Sequence, residues 1–117
     1  MNDTLSPARA YIETWAQGDR DALASLIDEN VDFASPLSRL QGRDAFLDAV
    51  VPFARQLREV RVLHEAGEPH DTVILYAMLS DAYGEMPVCE HVRFTNGLLS
   101  WSRLIFDTAP LRAEAGE

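Results

Sequence analysis

The chain has 117 residues, which is enough for one hydrophobic core and too few for two. A hydrophobic fraction of 47% describes a folded globular protein, and 19 Asp+Glu against 10 Lys+Arg give a formal charge of −9. That charge repels phosphate backbones and anionic headgroups, so nucleic acid and membrane surfaces are excluded as expected partners.

The first ten residues, "MNDTLSPARA", lack the basic start and apolar run of a signal peptide. No later stretch approaches the roughly 20 apolar residues that cross a bilayer. A cytoplasmic protein is the resulting expectation. "SPARAYIETWAQG" predicts a first helix with Ser6 as N-cap, Pro7 in the first turn and Gly18 as its stop, with Ala8, Tyr11, Ile12 and Trp15 as the apolar stripe. "DRDALASLID" predicts a second helix capped by Asp19 that buries Leu23, Leu26 and Ile27. "VDFASP" reads as a short strand stopped by Pro36. "GRDAFLDAVVPFARQL" predicts a third helix with Phe46, Leu47, Val50 and Val51 inward, kinked or split at Pro52.

The second half reads as strands: "REVRVLHEAG", "DTVILYAML", "MPVCEHVRFT" and "LLSWSRLIFD", separated by "GEPHD", "DAYGE" and the tight-turn pair Asn96-Gly97. Cys89, on the third of these, is the only cysteine, which excludes an intrachain disulfide and a multi-cysteine zinc site. The tail "RAEAGE" reads as solvated. Helices followed by a strand meander predict an α+β fold, a single domain over 1–117 with its core at about 7–110 and a tail at 111–117.

Neither strand face alternates cleanly with polar residues. One face is read as Val73, Leu75, Ala77 and Leu79 with Val88, Glu90, Val92 and Phe94 and with Ser100, Ser102, Leu104 and Phe106. The other is read as Ile74, Tyr76 and Met78 with Cys89, His91 and Arg93 and with Trp101, Arg103 and Ile105. Helices can cover only one of them, so the second face is expected to meet another copy of the chain. The expected homodimer uses Tyr76, Met78, His91, Trp101, Arg103 and Ile105, with Arg93 beside them.

Two stretches, "YIETWAQGDRDALASLIDENVDFASP" and "HVRFTNGLLSWSRLIFDTAPL", resemble the nuclear transport factor 2-like superfamily. Within it, the chain is similar to SnoaL-like polyketide cyclases and ketosteroid isomerase-like proteins. The resemblance implies a cone-shaped (cystatin-like) fold, with helices packed on a curved antiparallel or mixed sheet, a cavity between them, and dimerisation through the other sheet face. It places Tyr11 at the position of an oxyanion-donating tyrosine. It places Glu90 at that of a neutral carboxylic acid that donates a second hydrogen bond; the ketosteroid isomerase acid is a standard illustration of such a raised pKa. At the position of the base it places Ser35, whose hydroxyl cannot unaided abstract a proton alpha to a carbonyl. The Asp-Arg-Asp group of limonene epoxide hydrolases falls on Ala77, Leu79 and Leu104, which removes that activity.

Each candidate also has an ordinary structural explanation. Tyr11 is either an oxyanion donor or a core tyrosine with its hydroxyl satisfied at the rim. Glu90, between Val88 and Val92, is costly to bury unless protonated or paired. It is either a neutral acid or general base in the cavity, or it pairs with Arg43 or Arg55, or its register turns it outward. His64, His70 and His91 lack metal-ligand spacing, and no metal site is expected. His64 alone is kept as a pocket candidate, because Val60, Val62 and His64 share a strand face. Ser35 reads as a turn hydroxyl before Pro36.

The expected ligand is a small apolar molecule held by Trp15, Phe33, Ser35, Phe46, Val50, His64, Leu75, Leu104 and Phe106. Two functions fit. One is a cofactor-independent isomerase or cyclase acting on a carbonyl compound through Tyr11 and Glu90, since an acid, a hydroxyl and a dry pocket suffice. The other is a ligand-binding or dimer-forming module without catalysis.

Overall fold

The computed structural model describes residues 6–109, so the predicted tail lies outside the described residues. Helix α1 covers Pro7–Ala16, and the Ser6 hydroxyl caps it by accepting from the Arg9 N–H at 3.1 Å. Its stop is Gly18, which takes φ +70°, a conformation costly for any residue with a Cβ. A Cβ there would also come within 2.7 Å of Arg55 Cγ, whose guanidinium donates to the Gly18 carbonyl at 3.0 Å. Gly18→Ala is therefore expected to lower stability by about 1–2 kcal/mol in urea unfolding; an unchanged midpoint would contradict this account.

Helix α2, Arg20–Ala24, is capped by Asp19 as expected but is shorter than predicted. Ile27 begins strand β1, Ile27–Ala34, rather than ending the helix. A short strand β2, Arg39–Gln41, was not foreseen. Helix α3, Arg43–Ala54, runs unbroken through Pro52. The proline sits in the last turn, so the hydrogen bond it forgoes is near the point where the helix ends anyway.

Strands β3 (Glu59–Glu68), β4 (Asp71–Ser80), β5 (Gly84–Thr95) and β6 (Leu98–Ile105) follow the predicted meander. The Asn96-Gly97 turn has φ of 53° and 82°, as a tight hairpin between twisted strands requires. One six-stranded sheet results, in the order β2-β1-β6-β5-β4-β3. The β1–β6 pair is parallel and the others are antiparallel, so the sheet is mixed. Burial of Ala8, Tyr11, Ile12 and Trp15 from α1 and of Phe46, Leu47 and Val51 from α3 against its inner face makes the core.

The predicted faces of β4 are reversed. Ile74 pairs with Glu90, Tyr76 with Val88 and Met78 with Met86, so Tyr76 and Met78 share the inner face with Glu90. Val73 and Leu75 are 42% and 39% exposed on the outer face. Tyr76 and Met78 therefore leave the expected dimer surface, and Leu75 leaves the expected pocket. With both faces apolar, alternation alone could not choose between them; a one-residue slip exchanges every side chain. His64 is a second correction. The β3–β4 register shifts between Val62, opposite Tyr76, and His64, opposite Leu75. This bulge leaves Val60 and Val62 inside and turns the exposed His64 to the outer face.

Candidate functional site

Four elements bring their side chains to one point on the inner face. Tyr11 comes from α1, Tyr76 from β4, and Glu90 and Ser102 from neighbouring positions on β5 and β6. Glu90 has no exposed surface. Its Oε2 accepts from the Tyr11 hydroxyl at 2.8 Å and from the Ser102 hydroxyl at 2.6 Å, and its Oε1 accepts from the Tyr76 hydroxyl at 2.7 Å. The arginines considered as partners are engaged elsewhere: Arg43 reaches the Ile27 carbonyl at 3.5 Å and Arg55 the Gly18 carbonyl. The carboxyl is answered by hydroxyls rather than by a cation.

Burial raises the pKa of Glu90, and the hydrogen bonds from Ser102, Tyr76 and Tyr11 pull it part of the way back. Burial, reinforced by the Glu90 charge, pushes the Tyr11 and Tyr76 phenols well above their ordinary range and keeps both protonated. When Glu90 holds a proton, its own O–H donates to one of these hydroxyls. That hydroxyl then has its hydrogen free for another acceptor.

The acceptor has room. A cavity of about 350 Å3 opens over the cluster, between α1, α3 and the inner face. Its walls include Trp15, Phe33, Val50, Leu104 and Phe106, as expected, and also Tyr76, Met78 and Met86. Trp15 packs edge-on against Tyr76 with ring centroids 5.9 Å apart, which orients that phenol. Phe46 does not reach the cavity. It lies fully buried behind the wall, 6.4 Å from Tyr11 and 5.2 Å from Phe33 between ring centroids. Ser35 borders the mouth, but its hydroxyl oxygen accepts from the Leu37 and Ser38 N–H groups at 3.2 Å each and holds the β1–β2 turn. Among the described residues, Glu90 is the one carboxyl lining the cavity.

The sequence reading brought together Tyr11 and Glu90 but missed Tyr76 and the part played by Ser102. A signal was available. The β4–β5 turn uses three residues between the paired Ser80 and Gly84, so even-numbered residues face even-numbered partners. With Glu90 inward, Tyr76 had to be inward too.

On the opposite face Trp101 lies between two guanidiniums, Arg93 at 4.2 Å and Arg103 at 4.5 Å from its ring centre, and touches His91 edge-on at 4.9 Å. Asp71 holds His91 at 2.6 Å and Arg93 at 3.5 Å, and Asp32 holds Arg103 at 3.3 Å. Among the described residues no cluster of His, Cys, Asp and Glu could hold a metal ion, and no helix is long and apolar enough to cross a membrane.

Helices covering a curved mixed sheet, with an acid–hydroxyl cluster at the floor of an apolar hollow, define a nuclear transport factor 2-like protein with a cystatin-like fold. Residues 8–101 match the SnoaL-like domain, and the chain belongs to that family. Among solved structures it is similar to a protein from Kribbella flavida DSM 17836, with 26% identity, a TM-score of 0.89, and coverage of 97% of this chain and 93% of that one. An uncharacterised protein with a cystatin-like fold from Silicibacter pomeroyi DSS-3 shares 19% identity at a TM-score of 0.79, over 97% and 86% of the two chains. A candidate ketosteroid isomerase from Kribbella flavida DSM 17836 shares 17% identity at a TM-score of 0.73, over 88% of this chain and 76% of that one. No curated protein matches.

Proposed function

We propose that the chain binds a small, mostly apolar carbonyl compound with its oxygen on the Tyr11–Glu90–Tyr76 cluster, and acts on it as a cofactor-independent isomerase or cyclase. The observation that carries this reading is Glu90, a carboxyl with no exposed surface and three hydroxyl partners, at an apolar cavity. A carboxyl kept only for structure would be expected to meet a cation, because burying an unpaired charge is costly. In its neutral form Glu90 donates to a tyrosine oxygen, and that tyrosine donates to the ligand carbonyl. As the alpha C–H bond breaks and its proton passes to a solvent water, the same chain strengthens and delivers the Glu90 proton to the developing enolate oxygen. The hydronium so formed returns a proton to the ionised Glu90, and the reverse steps at another carbon complete the isomerisation.

The turn-bound Ser35 hydroxyl favours a second reading. With no other carboxyl on the cavity wall among the described residues, the module would hold the ligand without turning it over. Deuterium exchange at the alpha carbon of a bound ketone separates the two: exchange requires catalysis, and binding without exchange leaves the binding module.

Binding of a phenol as oxyanion mimic, followed by calorimetry from pH 5 to 9, tests the cluster itself. Affinity is expected to be highest where Glu90 is protonated and to fall by up to about tenfold per pH unit above its folded pKa. Glu90→Gln should remove that dependence. Tyr11→Phe should weaken binding about tenfold at low pH, the worth of one good hydrogen bond. No binding by the wild type, or wild-type behaviour in both variants, would end this reading.

We also infer that a second copy of the chain covers the outer sheet face. Val73, Leu75 and Ile105 are exposed there around Trp101. The face carries arginines on a chain of net charge −9, each beside an aspartate, so two copies related by a twofold axis can exchange Arg–Asp partners.

A further inference from the structure

A second, smaller hollow of about 190 Å3 adjoins the cavity on the side of the β4–β5 turn. The two share Phe53, Gln56, Met78, Tyr83 and Met86 as lining. The shared lining includes the cross-strand pair Met78–Met86, two unbranched thioethers whose side chains adapt to irregular neighbours. Beyond this pair Ser80 and Asp81 add polar groups to a lining that is otherwise mostly apolar, with Gln56 shared between the two hollows.

The sheet fixes the distance between the two ends. Glu90 and Met86 lie on the same face of β5, four residues apart, which is about 13 Å of strand. Ser80, opposite Gly84, lies about 7 Å further along. Asp81 is paired with Arg58 at 3.4 Å, so the far end offers no uncompensated charge. The Ser80 oxygen accepts from the Tyr83 N–H at 3.0 Å, which leaves its own hydrogen to donate.

We propose that the two hollows form one binding site for an elongated ligand. Its oxygen function sits on the Tyr11–Glu90–Tyr76 cluster, an apolar middle passes over Met78 and Met86, and a neutral hydrogen-bonding group at the far end meets Ser80 and Gln56. The substrate class is a long, apolar monocarbonyl compound with a terminal hydroxyl or amide, rather than a compact ring system confined to the inner cavity. This proposal rests on the function argued above, because it takes the acid–hydroxyl cluster as the anchor of one end.

Para-substituted phenols of increasing chain length provide the test. Para-ethylphenol stays within the inner cavity, and para-octylphenol reaches past the methionine pair. Affinity should rise by up to about fourfold per added methylene through the octyl member. A terminal hydroxyl on the octyl chain should be tolerated without loss, because it meets polar groups there. Ala82→Trp, at an exposed position bordering the outer hollow, should cost the octyl compound at least tenfold and leave para-ethylphenol unchanged. Ser80→Val should remove the tolerance for the terminal hydroxyl and spare the unsubstituted octyl chain.

If para-ethylphenol binds but affinity stops rising at short chains, the extended site is wrong and the anchoring cluster stands. An octyl compound that binds the wild type and Ala82→Trp equally well has the same meaning. If no phenol binds, the anchor and the extended site fall together.

Discussion

Glu90→Gln is expected to abolish a fall in stability with rising pH that the wild type shows above the ordinary carboxylate range. The sign follows from burial. The folded-state pKa of Glu90 is raised, so the folded protein holds a proton that the unfolded chain has released. A raised carboxyl contributes its full stability below the unfolded pKa of about 4.3 and loses it progressively as pH climbs to the folded pKa. Across that window the wild type should lose up to about 1.4 kcal/mol per pH unit relative to the variant. Gln is close in shape; its amide oxygen accepts on one side of the cluster and its N–H donates to the tyrosine oxygen on the other, as the protonated carboxyl does, so the variant keeps the packing while losing the titration. Asp71, whose pKa is lowered mainly by its hydrogen bond with His91, acts in the opposite sense below the ordinary Asp range and is common to both proteins. Urea midpoints measured from pH 4 to 9 provide the comparison. Parallel profiles would mean that Glu90 stays ionised throughout, and the neutral donor would be lost with it.

Trp101→Glu should convert the proposed dimer to a monomer, with association weakened by at least about 100-fold, as for a central interface aromatic. The substitution removes the ring on which Arg93 and Arg103 stack and places a carboxylate where two sheets would meet. Ile105→Glu is the companion variant; Ile105 is 70% exposed, so the fold has no need of it, and it should weaken the same association. Sedimentation equilibrium reads both. A wild type that sediments as a monomer, or two variants that keep the dimer mass, would assign this face to some other role. The dimer and the cavity are separable, since Trp101 and Glu90 lie on opposite sides of the sheet. Trp101→Glu should therefore bind para-ethylphenol as the wild type does.

The local signals were the reliable ones. Ser6, Asp19, Gly18 and the Asn96-Gly97 pair act through backbone groups within a few residues, so their effect is complete in the sequence. The Tyr11 stripe on α1 was legible for the same reason; alternation along β5 put Glu90 on one face with Val88 and Val92 but left open which way that face turned. Where both strand faces were greasy, the period alone could not say which way β4 turned. Leu75 and Tyr76 were exchanged as a result. His64 went astray because a bulge shifts the period within β3, and nothing in "VLHEAG" announces it. Phe46 was correctly buried and wrongly exposed to the ligand, since burial does not distinguish a cavity wall from the layer behind it.

By itself, then, the sequence determined the α+β order of elements, the caps and turns, a phenol on an apolar helix stripe and an acid among apolar residues of one strand face. Tertiary structure alone decided that these two meet, that Tyr76 and Ser102 complete their hydrogen bonding, and that space remains above them. The physical reason is range. Helix and strand periods are set by neighbours in the chain, whereas the partners of a buried carboxyl come from residues 12, 14 and 79 positions away, whose approach depends on sheet register and on how far the helices stand from the sheet.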